Sequence, residues 1–202
     1  MNNEISTKNP LGEKPVNSLL YQFAVPSIIA MLVSSLYNIV DQFFIGRSVG
    51  ALGNAATNIS FPLSISCVAI ALLFGIGGAS AFNIAMGMGE KENAVNYLAN
   101  SAAMLFLGGV ALTAVTLVFL EPLLKFFGSP DNVLEYAKVY TRIVALGFPF
   151  LIFTSGGGHL IRADGRPKIS MVCNLAGALI NTVLDALFVF VLNMGMAGAA
   201  YA

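Results

Sequence analysis

Two aspartates, Asp41 and Asp185, lie in stretches of the chain that are otherwise apolar. Asp41 follows an uncharged run over residues 15–40, and Asp185 follows another over residues 169–184, with no charged residue after it. An ionised carboxylate at the centre of a bilayer costs about 2.5–3.5 kcal/mol on insertion scales. Carboxylates in such places exchange protons or bind cations, so we expect the chemistry of this protein at these two positions.

Polar side chains at helical spacing accompany each aspartate. They are Tyr37 and Asn38 before Asp41, and Asn174 and Asn181 before Asp185. Residues three or four apart, or eleven apart, lie near one face of a helix. An amide on the same face can hydrogen-bond a carboxylic acid or offer its carbonyl oxygen to a cation.

Composition places these aspartates in a membrane protein. Of the 202 residues, 57% are hydrophobic and only 10% are charged, and the mean hydropathy is +0.81. A soluble domain carries about 25% charged residues. The zero net charge favours no nucleic-acid partner. Cys67 and Cys173 both lie in apolar segments, and we interpret them as small buried hydrophobes without a disulfide or metal role.

The apolar segments predict an all-α polytopic membrane protein, because about 20 apolar residues cross a bilayer as a helix. Breaks rich in Gly, Pro and Asn separate five predicted helices, at about 17–45, 53–86, 97–120, 133–161 and 169–192. A sixth starts at about residue 197, just before the last residue, so we expect a chain truncated at the start of helix 6. Residues 1–15 form a polar tail.

The distribution of Lys and Arg favours a cytoplasmic N-terminus. The tail and the segments 87–93 and 162–168 carry six basic residues, whereas four would lie on the other side of the membrane. The cluster Arg162, Arg166 and Lys168 is interpreted as a cytoplasmic charge anchor, with a lipid-headgroup contact as the alternative, and the lone His159 as a polar cap. The first and fifth helices would run in the same direction. Both aspartates would then lie in the outer half of the bilayer.

Four segments, in this order and spacing, resemble the N-terminal half of the multidrug and toxic compound extrusion (MATE) transporters. They are the segment 26–55 with YNIVDQFFIGRSVG, IRADGRPK ending at residue 168, N-x-x-x-D-x-L-F at 181–188, and GMAGAA at 195–200. The resemblance covers nearly the whole chain from about residue 15. It is greatest to the bacterial branch of MepA-like and DinF-like proteins.

The resemblance implies that residues 16–202 form the N-terminal six-helix lobe of a twelve-helix transporter in the bacterial inner membrane. Such proteins exchange cationic and amphipathic drugs for H⁺ or Na⁺ and use no cofactor. The partners implied are drug cations, the lipid bilayer and a missing C-terminal lobe.

The resemblance also implies roles for individual residues. Asp41, Asn181 and Asp185 match the cation-coupling site, where Na⁺ is one candidate ion, and no resident metal is expected. The residues expected to line the same cavity are Tyr37, Asn38, Tyr140 and Asn174, the two asparagines from their spacing alone. Many relatives have Pro after the second aspartate, whereas this chain has Ala186. It therefore offers no proline to distort the helix there.

Pro26 lies four turns before Asp41, and its role has two possible interpretations. A proline within a helix frees a backbone carbonyl and permits bending. It would then act as a hinge that couples protonation to helix shape. Alternatively it marks a static kink or the start of the helix.

Burial favours the neutral form of a carboxylate, and two neighbouring carboxylates share their protons. The hypothesis is that the pair takes a proton from outside, releases it inside, and binds a drug cation by competition. For each aspartate the alternative is a structural hydrogen bond. Three other functions are open: an intramembrane aspartyl protease, whose Gly-x-Gly-Asp and Tyr-Asp motifs are absent; a lipid or oligosaccharide flippase; and a non-transporting fragment.

Overall fold

A computed structural model describes residues 15–192 and 194–201, apart from the side chains of residues 19, 22, 23, 30, 34, 37, 48 and 190. Seven α-helices make up most of this part. They are α1 (Val16–Ser48), α2 (Ala51–Gly87), α3 (Lys91–Val118), α4 (Leu120–Phe126), α5 (Asp131–Ala163), α6 (Pro167–Asp185) and α7 (Gly195–Tyr201). A π-helical segment, Ala186–Val191, directly follows α6. No strand occurs in the described residues, so the predicted all-α class is confirmed.

Five of these helices are long and apolar enough to cross a membrane. The candidate spans are Ala24–Arg47, Ala51–Gly87, Lys91–Val118, Asp131–Ala163 and Pro167–Val189. Most helices extend beyond the predicted bounds; α3, for example, begins six residues before the expected position 97. Charges mark where the apolar region ends, but the helix continues into the polar interface, where charged side chains reach water.

The short helix α4 was not predicted. It carries Glu121, whose carboxylate pairs with Lys125 at 2.8 Å and with Lys138 of α5 at 2.7 Å. Hydrogen bonds from these two lysines lower the pKa of Glu121 from its ordinary value of 4.5 to about 2. The ion pairs are therefore fully present above the ordinary pKa and are lost as the pH falls through about 2. The Glu121–Lys138 ion pair connects α4 to the N-terminal part of α5.

Helices α2, α3 and α5 form a closely packed bundle, while α1 packs mainly against α6. The bundle core contains Leu105, Phe148 and Ile152, all almost fully buried. Polar contacts between helices are short: Ser60 Oγ lies 2.6 Å from Thr141 Oγ1 in the buried α2–α5 interface. Hydrogen-bonded hydroxyls of this kind hold helices together where no water can reach.

Small residues set the closest approach between α2 and α5. A Cβ atom added at Gly75 would lie 2.8 Å from the backbone Cα of Gly156. Backbone atoms cannot move aside as a side-chain tip can, so only glycine fits at this crossing. Cys67 is buried in the same bundle as expected from the sequence, but Cys173 is exposed on α6, which corrects its interpretation as a buried hydrophobe.

We expect Gly75→Ala to lower the free energy of unfolding by about 1–3 kcal/mol, because the methyl group overpacks a backbone-to-backbone contact. Gly77→Ala is the matched control, since a Cβ at Gly77 meets nothing within 4 Å. Thermal unfolding of the purified chain in detergent measures both. Equal melting temperatures for the two variants would contradict this account of the α2–α5 crossing.

Candidate functional site: two carboxylates between α1 and α6

Asp185 is the last residue of α6 and is completely buried, with 0% of its surface exposed. Neither of its carboxylate oxygens has a hydrogen-bond partner in the described part of the chain. The Oδ1 atom of Asn181, one turn earlier on the same face, is also buried and unpaired. Leaving buried polar atoms unpaired costs free energy. Three buried oxygens without a partner in the described part of the chain thus lie within one turn at the end of α6.

Asp41 lies on α1, which packs against α6. It is partly buried, and it is close enough to Asp185 for the two carboxylates to interact electrostatically. Two like charges at short range in an apolar environment repel strongly, so they ionise together only if a cation neutralises them. The structure therefore brings Asp41, Asn181 and Asp185 into one cluster of oxygen atoms.

The helix that carries Asp185 changes form immediately after it. The predicted helix 169–192 is not one α-helix, because residues 186–191 are π-helical, with Leu192 N donating to Leu187 O at 2.9 Å. Before the change, Thr182 Oγ1 donates to Ala178 O at 2.9 Å, a back-bond that bends helices. A distortion therefore exists here without a proline. Such π segments are frequent at functional sites.

The π-helical segment is covered by α7. A Cβ atom at Gly198 would lie 2.9 Å from the carbonyl oxygen of Phe188. Met194 N also donates to this oxygen, at 3.0 Å. The small residues of GMAGAA allow this close approach, and they are the one sequence signal for it.

The other predicted site residues lie at various distances from the carboxylates. Tyr140 is partly buried and packs against the core cluster that contains Ile45, one turn after Asp41. Asn38 is exposed on α1. The backbone of Tyr37 lies in α1, but its side chain is outside the described part of the structure. Pro26 is buried within α1, so it does not mark the start of the helix.

A cavity of about 500 Å³ between α5 and α6 reaches the cluster. Asn181 lies at one end of its lining and Asn174 further toward the start of α6. Asn174 is thus two turns before Asn181 and about three turns before Asp185. The lining also includes Phe153 and Leu151, so the cavity is apolar apart from a few hydroxyls and amides. This composition suits an amphipathic molecule.

Sequence reasoning missed a polar contact on the other side of α1. Thr57 Oγ1 of α2 donates to Gln42 Oε1 at 3.2 Å. The neighbouring Asn54 is partly buried, and its buried Oδ1 atom has no partner among the described residues; a Cβ on Gly46 of α1 would lie 2.9 Å from its Nδ2. The sequence signal for this contact was the pair Asn54 and Thr57, two polar residues three positions apart in α2.

Five helices long and apolar enough to cross a membrane are the architecture of a multi-pass membrane protein. The sequence profile of the MatE family matches residues 26–187, so the chain belongs to the MATE family. Its fold is that of the N-terminal lobe.

Relatives and solved structures agree with this assignment. Multidrug export protein MepA of Staphylococcus haemolyticus is 27% identical over 190 residues, which cover 93% of this chain and 42% of MepA. The FAD transporter of Shewanella oneidensis is 25% identical over 183 residues, covering 91% of this chain and 40% of that protein. A crystal structure of MATE in complex with MaD3S has a TM-score of 0.88 and 28% identity, and the match covers 95% of this chain and 43% of that one. The chain thus spans about two fifths of these relatives.

We expect Asp185→Leu to raise the free energy of unfolding by about 1–3 kcal/mol, because it removes two buried oxygens that have no partners. Asp164→Leu is the control, since Asp164 is exposed and pairs with Arg166. Thermal unfolding in detergent without added Na⁺ measures both. A large loss of stability for Asp185→Leu would instead identify the carboxylate as a structural hydrogen-bonding group.

Proposed function

We propose that this chain is the N-terminal lobe of a cation-coupled antiporter that exports cationic and amphipathic drugs. Asp41, Asn181 and Asp185 form its coupling site, which holds either H⁺ or Na⁺. The observation that carries the proposal is the fully buried Asp185 carboxylate, both of whose oxygens lack a partner in the described part of the chain. In an aspartate with only a structural role, those oxygens would accept hydrogen bonds from the protein.

The coupling follows from charge. With one proton on the pair, or with one Na⁺ among the oxygens, the cluster carries one negative charge instead of two and attracts a second cation less strongly. Hard cations such as Na⁺ prefer oxygen ligands, and the Asn181 carbonyl adds a neutral one. When the proton or Na⁺ leaves, the uncompensated negative charge draws in a drug cation. Because the coupling ion and the drug cation compete for the same negative charge, binding of one releases the other.

The substrate class rests on the cavity and on the relatives. The cavity is apolar with a few polar atoms and leads to negative charge, which suits amphipathic cations. The relatives named multidrug export protein point the same way, while the relative named FAD transporter carries a different cargo. Competition between a drug cation and FAD for the purified chain distinguishes these two classes.

The placement in the bacterial inner membrane follows from the helices and the basic residues. Residues 1–15 are the cytoplasmic tail, and residues 16–202 are the lobe. The segment 162–168 lies on the cytoplasmic side, and both carboxylates lie in the outer half of the bilayer. A second, C-terminal lobe completes the transporter and is its obligatory partner in transport.

Binding of a lipophilic cation to the chain should displace the coupling ion. We expect ethidium to release roughly one proton for each bound cation in a weakly buffered detergent solution, because the carboxylate pair shares its protons. If Na⁺ is the coupling ion, Na⁺ should compete with ethidium instead. Calorimetry in buffers of different ionisation enthalpy measures the proton count, and fluorescence measures the competition.

The variants Asp41→Asn and Asp185→Asn should lose both effects. Asp164→Asn removes an exposed carboxylate on the loop before α6 and should behave like the unchanged chain. If both site variants bind ethidium with the same proton release or Na⁺ competition, the coupling site lies elsewhere.

Pro26 is the proposed hinge of α1. It has no N–H, so the carbonyl of residue 22 loses its helical hydrogen bond, and the buried ring prevents close packing of that turn. Asp41 lies four turns further along the same helix. A change of charge at Asp41 alters how α1 packs on α6, and the weakened turn lets the rest of the helix respond.

We expect Pro26→Ala to slow amide hydrogen exchange in residues 16–30 and to abolish its dependence on ethidium. The substitution restores the missing hydrogen bond and stiffens the helix. Hydrogen exchange followed by mass spectrometry measures this, with Pro62→Ala in α2 as the control. An unchanged ethidium response in Pro26→Ala would remove the hinge and leave a static kink.

A further inference from the structure

A second cavity, of about 600 Å³, lies near the C-terminal end of α5 and contains a single charged residue, Arg162. We call it the Arg162 cavity. It joins α1, α5 and α6, and apart from one methionine its lining residues carry hydroxyl, imidazole, guanidinium or amide groups: Ser27, Met31, Ser35, Ser155, His159, Arg162 and Asn174. Among the described residues, no carboxylate lines it. Its polarity is therefore opposite to that of the aspartate site.

Arg162 is held in this cavity by hydrogen bonds. Its Nη1 donates to Ser170 Oγ at 3.1 Å, and its Nη2 lies 3.1 Å from His159 Nδ1. Ser170 is almost fully buried and donates in turn to the carbonyl of Gly158 at 3.3 Å. A guanidinium can only donate, so Nδ1 of His159 accepts, which leaves the imidazole proton on Nε2. The Arg162 guanidinium is thus held in place by hydrogen bonds to neutral groups.

The charge on Arg162 is not balanced by a carboxylate in the described part of the chain. Its neighbour Arg166 differs, because Arg166 Nε pairs with Asp164 at 3.2 Å and is exposed. The interpretation of Arg162, Arg166 and Lys168 as a cytoplasmic charge anchor stays a prediction, and the structure adds that Arg162 lines a cavity whereas Arg166 is paired at the surface. His159 is a partner of Arg162 and not a simple cap. A half-buried, uncompensated guanidinium calls for an anion.

The cavity offers the donors that a phosphate group needs. Of the five N–H groups of the Arg162 guanidinium, two are used by Ser170 and His159, and three remain. The planar fork matches two oxygens of a phosphate, and charge-assisted hydrogen bonds of this type are strong. The Ser155 hydroxyl and the Asn174 amide add neutral hydrogen-bonding groups. A cationic ligand is excluded by the same charge.

The level of the cavity identifies the source of the phosphate. Arg162 is in the last turn of α5, next to the polar loop that ends the span, where lipid headgroups lie. Exposed apolar side chains, among them Ile28 and Leu32 of α1 and Val172 of α6, occur on the same helices. A phospholipid can place its phosphate in the cavity and its chains along these residues. A free phosphate ester would use the headgroup part alone.

We propose that the Arg162 cavity binds the phosphate group of an anionic phospholipid. The lipid would bridge α1, α5 and α6 on the side of the lobe away from the carboxylates. The Arg162 cavity shares Ser155 and Asn174 with the first cavity, but the inference does not rest on the proposed coupling mechanism, because it depends on the positive charge of Arg162.

The test compares lipids of different headgroup on the purified 202-residue chain in detergent. Titration with dioleoylphosphatidylglycerol should raise the melting temperature, and native mass spectrometry should show one retained lipid. Dioleoylphosphatidylcholine at the same concentrations should be retained much less. Arg162→Gln should weaken phosphatidylglycerol binding at least about tenfold, because charge-assisted hydrogen bonds are lost.

Arg166→Gln is the matched control, since it removes the same charge four residues away and should leave binding unchanged. Ser155→Phe fills the cavity from an exposed position without touching the hydrogen bonds of Arg162. It should also abolish binding, and it decides the matter if Arg162→Gln does not fold. Millimolar inorganic phosphate should compete with the lipid.

Three results would overturn the proposal. The first is equal phosphatidylglycerol binding by Arg162→Gln and Arg166→Gln. The second is undiminished binding by Ser155→Phe. The third is binding of inorganic phosphate without any binding of phosphatidylglycerol, which would assign the cavity to a free phosphate ester.

Discussion

The structure depends on one electrostatic constraint: a carboxylate that is removed from water without a hydrogen-bond partner must bind a proton or a cation. Asp185 is in this position, and Asp41 on the facing helix adds a second negative charge. An apolar lobe could dispense with both residues and gain stability. Their presence is the main support for the proposed coupling site, whose charge would be compensated only part of the time.

The rest of the lobe divides into a rigid part and an adjustable part around that constraint. Helices α2, α3 and α5 pack through glycine contacts and short hydroxyl hydrogen bonds, and this bundle provides a fixed wall. Helices α1 and α6, which carry the carboxylates, pack mainly on each other. One contains Pro26 and the other passes into a π-helical segment just after Asp185. Helices α2 and α5 also contain a proline each, Pro62 and Pro149, so it is the π-helical segment that distinguishes the charge-bearing pair.

Much of this architecture could be predicted from the sequence, because its signals are local. Apolar runs gave the spans, and counting helices showed that Asp41 and Asp185 would lie on parallel elements. Features that depend on tertiary contacts could not be predicted. The π-helical segment arises without a proline where α7 packs on it, and the short helix α4 is fastened by Lys138 from another element. Arg162 resembles its basic neighbours in sequence, and only packing distinguishes it as the charge in a cavity.

The most direct test of the central claim is the protonation state of the buried carboxylate itself. Infrared difference spectroscopy of the chain, with aspartate labelled with carbon-13, detects the carbonyl band of a protonated carboxylic acid. The account predicts such a band near neutral pH, its loss when ethidium or Na⁺ is added, and its absence in Asp185→Asn. A permanently ionised carboxylate whose spectrum ignores both cations would contradict it.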